Sequence, residues 1–238
     1  MSDWTAKRFW KVASVVEVEG AFAVELDGRG VKTPAKRPLR LPTAAMAQAI
    51  AAEWDAQEDV INPNTMPATR TANAALDKVT IQHGEVADML AAYGDSDLLC
   101  YRADSPEELV ARQAALWDPM LDWAADTLGA RLLTRTGVIH APQDPDVIAG
   151  LRARTHALSV FELAAFHDLV SLSGSLILGF GTALDARPAT QMWDLSRLDE
   201  TWQEEQWGED EDATAMAEVK RTAFLHAKQM FTLCQSPE

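Results

Sequence analysis

The hydrophobic period of this sequence changes once, near residue 41, and the change separates two kinds of secondary structure. Trp10, Val12, Ser14, Val16 and Val18 fall on one parity, with Lys11, Glu17 and Glu19 on the other. Period two with polar partners marks a half-buried strand. Phe22, Val24 and Leu26 repeat the alternation after Gly20. Asp27-Gly28 is a strong hairpin turn, and Val31 and Thr33 begin the return strand. Pro34 and Pro38 then limit the pairing, because proline brings no amide to a ladder.

Helical spacing follows. Thr43 is placed to cap a helix whose stripe is Met46, Ile50 and Trp54. Asn62-Pro63-Asn64 closes that unit, and 66–93 reads as helix with a break near His83-Gly84. The stretch DLLCYR (97–102) fits a strand or a helical turn. Ser105-Pro106-Glu107-Glu108 reads as a capping box with proline at the first helical position. Pro119 lies inside the helix that follows and predicts a kink. Asp144-Pro145 opens another helix. Ser159 to Glu162 is a second capping box, leading into the most apolar helix. Pro188 starts the next, with Met192, Leu195, Leu198 and Trp202 inward and Gly208 as its stop. Met216, Val219, Ala223, Ala227 and Met230 give the last helix its inward stripe. Strands first and helices after predict an α+β fold. The expected division is a small antiparallel β-rich N-terminal domain, 1–65, and a larger all-helical C-terminal domain, 66–238.

Charge narrows the partners. The formal net charge is -15, which opposes nucleic acid and anionic lipid and attracts basic protein surfaces. Residues 1–42 carry eight Lys/Arg and five Asp/Glu, whereas the remainder carries 13 and 31. The longest uncharged stretch, Leu169–Leu184, has 16 residues. A membrane span needs roughly 20, so the reading is a buried helix and no membrane insertion. Cys100 and Cys234 lack any paired spacing and read as buried thiols of a reducing compartment. The opening residues MSDWTAKRFW hold no apolar signal core. No secretory signal is expected.

Motifs for chemistry are sparse. GRGVKT (28–33) lacks the adjacent Gly-Lys of a phosphate loop, follows a hairpin and runs into proline. The five histidines show no i, i+3 or i+4 pairing and no cysteine partner at ligand spacing. Glu209–Asp212 lacks the spaced ligands and glycine of a calcium loop and suits a helix N-terminus. Gly174-Ser175 is no nucleophile elbow. The expectation is therefore no catalytic residue, no metal, no cofactor and no small-molecule substrate. The alternative is an enzyme with a spatially assembled carboxylate pair drawn from Asp95, Asp97 and Glu200.

Tryptophan is the exception. There are eight, and several adjoin carboxylates: Trp54-Asp55, Trp117-Asp118, Asp122-Trp123, Trp193-Asp194, and Trp202 and Trp207 around Glu204-Glu205. Such residues suit the edge of a core, and they also dominate binding hot spots. From Asp194 to Glu218 there are ten acidic residues and one basic, Arg197. In a helix Glu200, Gln203 and Glu204 share a face. The candidate partner-binding residues are Glu200, Gln203, Glu204, Trp207 and Glu209, with Arg29 of the basic N-terminal sheet as the other candidate region.

A series of motifs runs along nearly the whole chain: RFWK (8–11), LDGRGVKTP (26–34), LPT (41–43), IAAEWDAQ (50–57), NPNTMPATR (62–70), DLLCYR (97–102), QAALWDPMLDW (113–123), SGSLILG (173–179) and EEQWGEDED (204–212). In order and spacing it resembles the assembly chaperones specific for the alpha subunit of the F1 head of ATP synthase, known mainly from mitochondria. The resemblance implies a β-rich N-terminal domain and a helical C-terminal domain. It also implies binding of free alpha subunit until beta displaces the chaperone, with no nucleotide or metal. Set against the mitochondrial members with their transit extension, the resemblance leads us to expect a bacterial, cytoplasmic protein. Free alpha would expose surfaces that beta later covers, and exposed apolar surface aggregates.

Overall fold

The computed structural model describes residues 7–137 and 139–235. The extreme ends of the two expected domains, 1–6 and 236–238, lie outside the described residues. Contacts divide the chain into two compact units. The first runs to Gln82 and takes in Ser159–Ala165 and the chain from Gln229 onward; the second holds His83–Leu158 and Phe166–Lys228. The expected cut at residue 65 follows the Asn62-Pro63-Asn64 stop, whereas the units follow packing. Residues 66–82 and two later stretches accordingly group with the strands.

In the first unit, β1 (Ala13–Val18), β2 (Ala21–Leu26) and β3 (Arg29–Gly30) form an antiparallel sheet in that order. Val18 pairs with Ala21 and Leu26 with Arg29, so both turns have two residues. Glu19-Gly20 and Asp27-Gly28 all take positive φ, between 48 and 79°, as the turn matching strand twist requires. The Asp27 carboxylate also accepts the amides of Lys11 and Val12 at 2.9 and 3.0 Å. Leu41 exchanges both backbone hydrogen bonds with Phe22 and extends the sheet. Helix α1 (Ala44–Asp55) starts where Thr43 Oγ1 accepts the Met46 amide at 3.1 Å. Its buried Met46 and Ile50 join Val24, Leu26 and Leu41 in the core. The predicted strand face holds at Trp10, which is buried, and fails at Val12, which is exposed.

Helix α2 (Pro67–Ala74) has no capping side chain of its own. Glu53 of α1 supplies one. Its carboxylate accepts the Ala68 and Thr69 amides at 2.6 and 2.8 Å and the Thr69 hydroxyl at 2.7 Å. A π-helical turn, Ala75–Val79, leads into α3 (Thr80–Ala91), which breaks at Gln82, one residue before the expected point. Asp77 in that turn accepts the Thr33 hydroxyl at 2.6 Å and the Ala35 amide at 3.0 Å, fastening the loop beyond β3.

In the second unit, DLLCYR resolves into a 3₁₀ turn, Leu98–Cys100, and β4 (Tyr101–Arg102). β4 pairs in parallel with β5 (Arg135–Thr136), so the C-terminal region is mainly but not wholly helical. Helix α4 (Glu107–Leu128) continues through Pro119 and ends at Gly129 with φ 69°. The box predicted at its start does not form: Pro106 is the cap and Ser105 Oγ bonds Asp104 instead. The helix begins one residue late, which takes Ser105 out of capping register. Helix α5 spans Pro145–His156. The second box does form before α6 (Val160–Ser173), with Ser159 N to Glu162 Oε2 at 2.9 Å and Glu162 N to Ser159 Oγ at 3.3 Å.

The long apolar stretch is two helices, not one. Gly174, with φ 70°, breaks it, and Ser175 caps α7 (Leu176–Ala183). All eight residues of α7 are buried. A Cβ on Gly179 would lie 2.6 Å from Val170 Cγ2, so only glycine admits that approach. The segment after Pro188 is also split, into α8 (Ala189–Ser196) and α9 (Leu198–Trp207), with a non-helical break at Arg197. Helix α10 (Glu211–Leu233) ends the described fold.

Candidate functional site

The acidic, tryptophan-rich stretch forms α9 and the start of α10. Leu198 is the buried residue of α9, while Gln203, Glu205, Gln206 and Trp207 are exposed. Gly208, with φ 93°, ends the helix on a bond from its amide to Glu204 O. Trp207, at the last helical position, is 80% exposed.

The expected inward stripe of the last helix is only half realised. Met216 and Val219 are 56% and 66% exposed, and burial begins at Phe224. Their spacing matches that of the core residues farther on, but no described residue covers them. The first turns of α10 are therefore an exposed segment carrying apolar and acidic side chains together.

Several of the carboxylates are already engaged. Arg197 pairs with Glu200 at 2.8 Å and lies 3.9 Å from Glu204. Arg112 of α4 holds both oxygens of Glu205, at 2.5 and 2.9 Å, with its guanidinium carbon 5.8 Å from the Trp202 ring centre. This grip keeps the Glu205 carboxyl below the usual range and raises Arg112. Asp199 accepts the Gln113 amide at 2.7 Å, and Asp210 caps α10 through the Ala213 amide at 2.9 Å. Glu209, Glu211 and Asp212 are exposed and make no ion pair among the described residues. The like-charge crowding read in the sequence is thus relieved along α9 by two arginines and remains at the 209–212 turn.

Two clefts flank α9. One, of about 490 Å³, includes Arg112, Leu116, Trp193, Arg197, Glu204 and Glu209 in its lining. The other, of about 780 Å³, includes Tyr101, Asp104, Asp199, Trp202, Gln203 and Trp207. The shared face proposed for Glu200, Gln203 and Glu204 is accordingly divided: Gln203 lines one cleft, Glu204 the other, and Glu200 is held by Arg197. Arg29 belongs to the first unit, exposed in β3. Arg112, Met216 and Val219 escaped sequence reasoning. Arg112 sits 93 residues from its partner, and the two apolar residues looked like core.

The alternative carboxylates do not converge. Asp97 is fully buried, and its oxygens accept Ser175 Oγ at 2.7 Å, Ile177 N at 3.0 Å and Leu99 N at 3.1 Å. Burial pushes it up to about 6, yet all its acceptor positions serve the fold and it lines neither cleft flanking α9. Asp95 accepts the Gln143 amide at 2.7 Å and lies 3.2 Å from His140. Among the described residues no group of three His, Cys, Asp or Glu could hold a metal ion, and no helix is long and apolar enough to cross a membrane.

Residues 7–125 match the family model described as ATP12 chaperone protein. The mitochondrial protein atp12 of Schizosaccharomyces pombe is 26% identical over 219 residues, covering 87% of this chain and 75% of that protein. The crystal structure of Atp12 from Paracoccus denitrificans is 50% identical with a TM-score of 0.94, covering 97% of this chain and 99% of the other. The Atu1473 protein of Agrobacterium tumefaciens is 40% identical with a TM-score of 0.92, covering 97% and 87%.

Proposed function

The chain belongs to the ATP12 chaperone family, and from that premise we propose that it binds the free alpha subunit of the F1 head of ATP synthase and holds it for assembly with beta. The observation that carries this reading is the exposed ridge of α9 and α10. There Trp207, Met216 and Val219 are exposed, and Glu209, Glu211 and Asp212 make no ion pair among the described residues. A segment that exposes apolar side chains among unpaired carboxylates suits a partner surface that is itself apolar and basic. The binding cycle uses no ATP and no chemical step. Release follows when beta competes for the same surface, which requires only that the chaperone bind alpha less tightly than beta does. The compartment we propose is the bacterial cytoplasm, supported by the likeness to two bacterial proteins and by two buried, unpaired thiols.

Capture of each purified F1 subunit on the immobilised chain tests the assignment. Alpha is retained and beta is not; added ATP and magnesium leave the result unchanged. Equal retention of both subunits, or of beta alone, contradicts it.

A further inference from the structure

The larger cleft beside α9 has a composition that selects its occupant. Its walls come from β4 and the loop after it, from α4 and from α9. The charged groups in that lining are Arg102, Asp104 and Asp199. Arg102 is committed elsewhere: its Nη2 lies 2.7 Å from Asp118, its Nε donates to Leu99 O at 2.8 Å, and its guanidinium carbon sits 5.3 Å from the buried Trp117 ring centre. Asp104 receives the Ser105 hydroxyl and Asp199 the Gln113 amide, and neither meets a cation among the described residues. The cleft therefore offers two carboxylates without a counter-charge. The exposed indole of Trp207 stands at the same cleft and makes no ring or cation contact among the described residues.

The chain itself shows what such a surface receives. Each of the three cation–π contacts seen among the described residues places arginine over tryptophan: Arg8 on Trp10, Arg102 on Trp117 and Arg112 on Trp202. In each, the guanidinium edge is also taken by a carboxylate: Asp55, Asp118 and Glu205. A planar guanidinium can stack on an indole while its N–H groups reach carboxylates and amides, which an ammonium does less well. At about 780 Å³ the cleft falls within the roughly 300–1,000 Å³ of ligand-enclosing pockets.

We propose that this cleft receives an arginine-bearing extended segment of the client protein, with the guanidinium stacked on Trp207 and its N–H groups donating to Asp104, Asp199 and the Gln203 and Gln206 carbonyls. The proposal deepens the chaperone reading by naming the chemistry of the client contact, and it rests on that reading only for the identity of the client.

The test uses the full chain labelled with nitrogen-15 and the blocked tripeptide Gly-Arg-Gly at millimolar concentration. The indole N–H signal of Trp207 moves and saturates. The citrulline analogue, equal in shape and uncharged, produces no saturable shift, and Gly-Lys-Gly binds several-fold more weakly. Trp207→Ala weakens binding about five-fold, the size of one exposed cation–π contact. Asp104→Asn weakens it in the same direction without moving signals of the buried core. The proposal is overturned if the citrulline peptide acts like the arginine peptide, if shifts fall on Trp193 and Leu195 of the other cleft, or if nothing saturates. Capture of alpha is a separate measurement. Its failure would remove the client assignment and leave the arginine response in place.

Discussion

Arg112 on α4 and Glu205 on α9 are joined end-on, Arg112 Nη1 and Nη2 each donating to one carboxylate oxygen, at 2.5 and 2.9 Å. The pair is solvent-accessible and contributes little to global stability, but it anchors a helix that buries little of its own surface. Arg112→Ala or Glu205→Gln should speed amide exchange across Leu198–Trp207 and leave the Tm nearly unchanged. The bond depresses the Glu205 carboxyl. Its contribution is therefore present above the ordinary carboxylate range and is lost as pH falls through the lowered value. Unaltered exchange in α9 for both variants would show that the pair does not anchor it.

Glu53 makes the opposite case, where one carboxylate carries much of a local structure. It substitutes for the missing cap of α2 with three hydrogen bonds. Glu53→Ala should destabilise the protein by about 1–2 kcal/mol, as loss of a helix cap does, and Glu53→Gln by less. Urea unfolding of the two variants checks this, and equal stability of Glu53→Ala and wild type contradicts it.

Asp97 titrates in an unusual direction for a carboxylate with three donors. Burial outweighs those hydrogen bonds and pushes it up to about 6 from 3.8. An acid whose folded value exceeds its unfolded one binds its proton more tightly when folded. Stability from this group therefore falls as pH rises from about 4 to about 6, by at most about 3 kcal/mol, and is level above. Asp97→Asn lacks that titration. The advantage of wild type over the variant should shrink across the same interval; parallel stability curves there would contradict it.

Cys100 and Cys234 are buried, and burial pushes both thiols up to about 12. The thiolate is the reactive form. A disulfide exchange reagent near neutral pH should therefore label neither in the folded chain and both after denaturation. Rapid labelling of the native protein would show that one of the segments opens.

What could be read beforehand was what is local. The Asp27-Gly28 turn, the Thr43 cap and the Ser159–Glu162 box are each complete within four residues, and all three form. Failures came where a second segment decides. The box at Ser105 is the local exception, lost because its helix starts one residue late. The break at Arg197 divides a pattern that looks continuous. Met216 and Val219 keep the spacing of a core stripe, and spacing cannot tell whether anything lies opposite. The candidate site was legible as a region, since its acids and tryptophans cluster in sequence. Its internal pairing was not, because Arg112 arrives from a helix 93 residues away.

That pairing also decides where charge can be probed. Reversing Glu200 or Glu204 would break contacts with Arg197 and confuse folding with binding. Glu209 and Trp207 are exposed and make no such contact among the described residues. The most direct measurement is the affinity of purified F1 alpha subunit for wild type, Glu209→Lys and Trp207→Ala across a range of salt, with the Tm of each variant recorded. Both substitutions should weaken binding at unchanged Tm. Wild-type affinity should fall as salt rises, and Glu209→Lys should show a shallower salt dependence. Wild-type affinity in both variants at every salt concentration would contradict it, and would move the binding face to the basic sheet that carries Arg29.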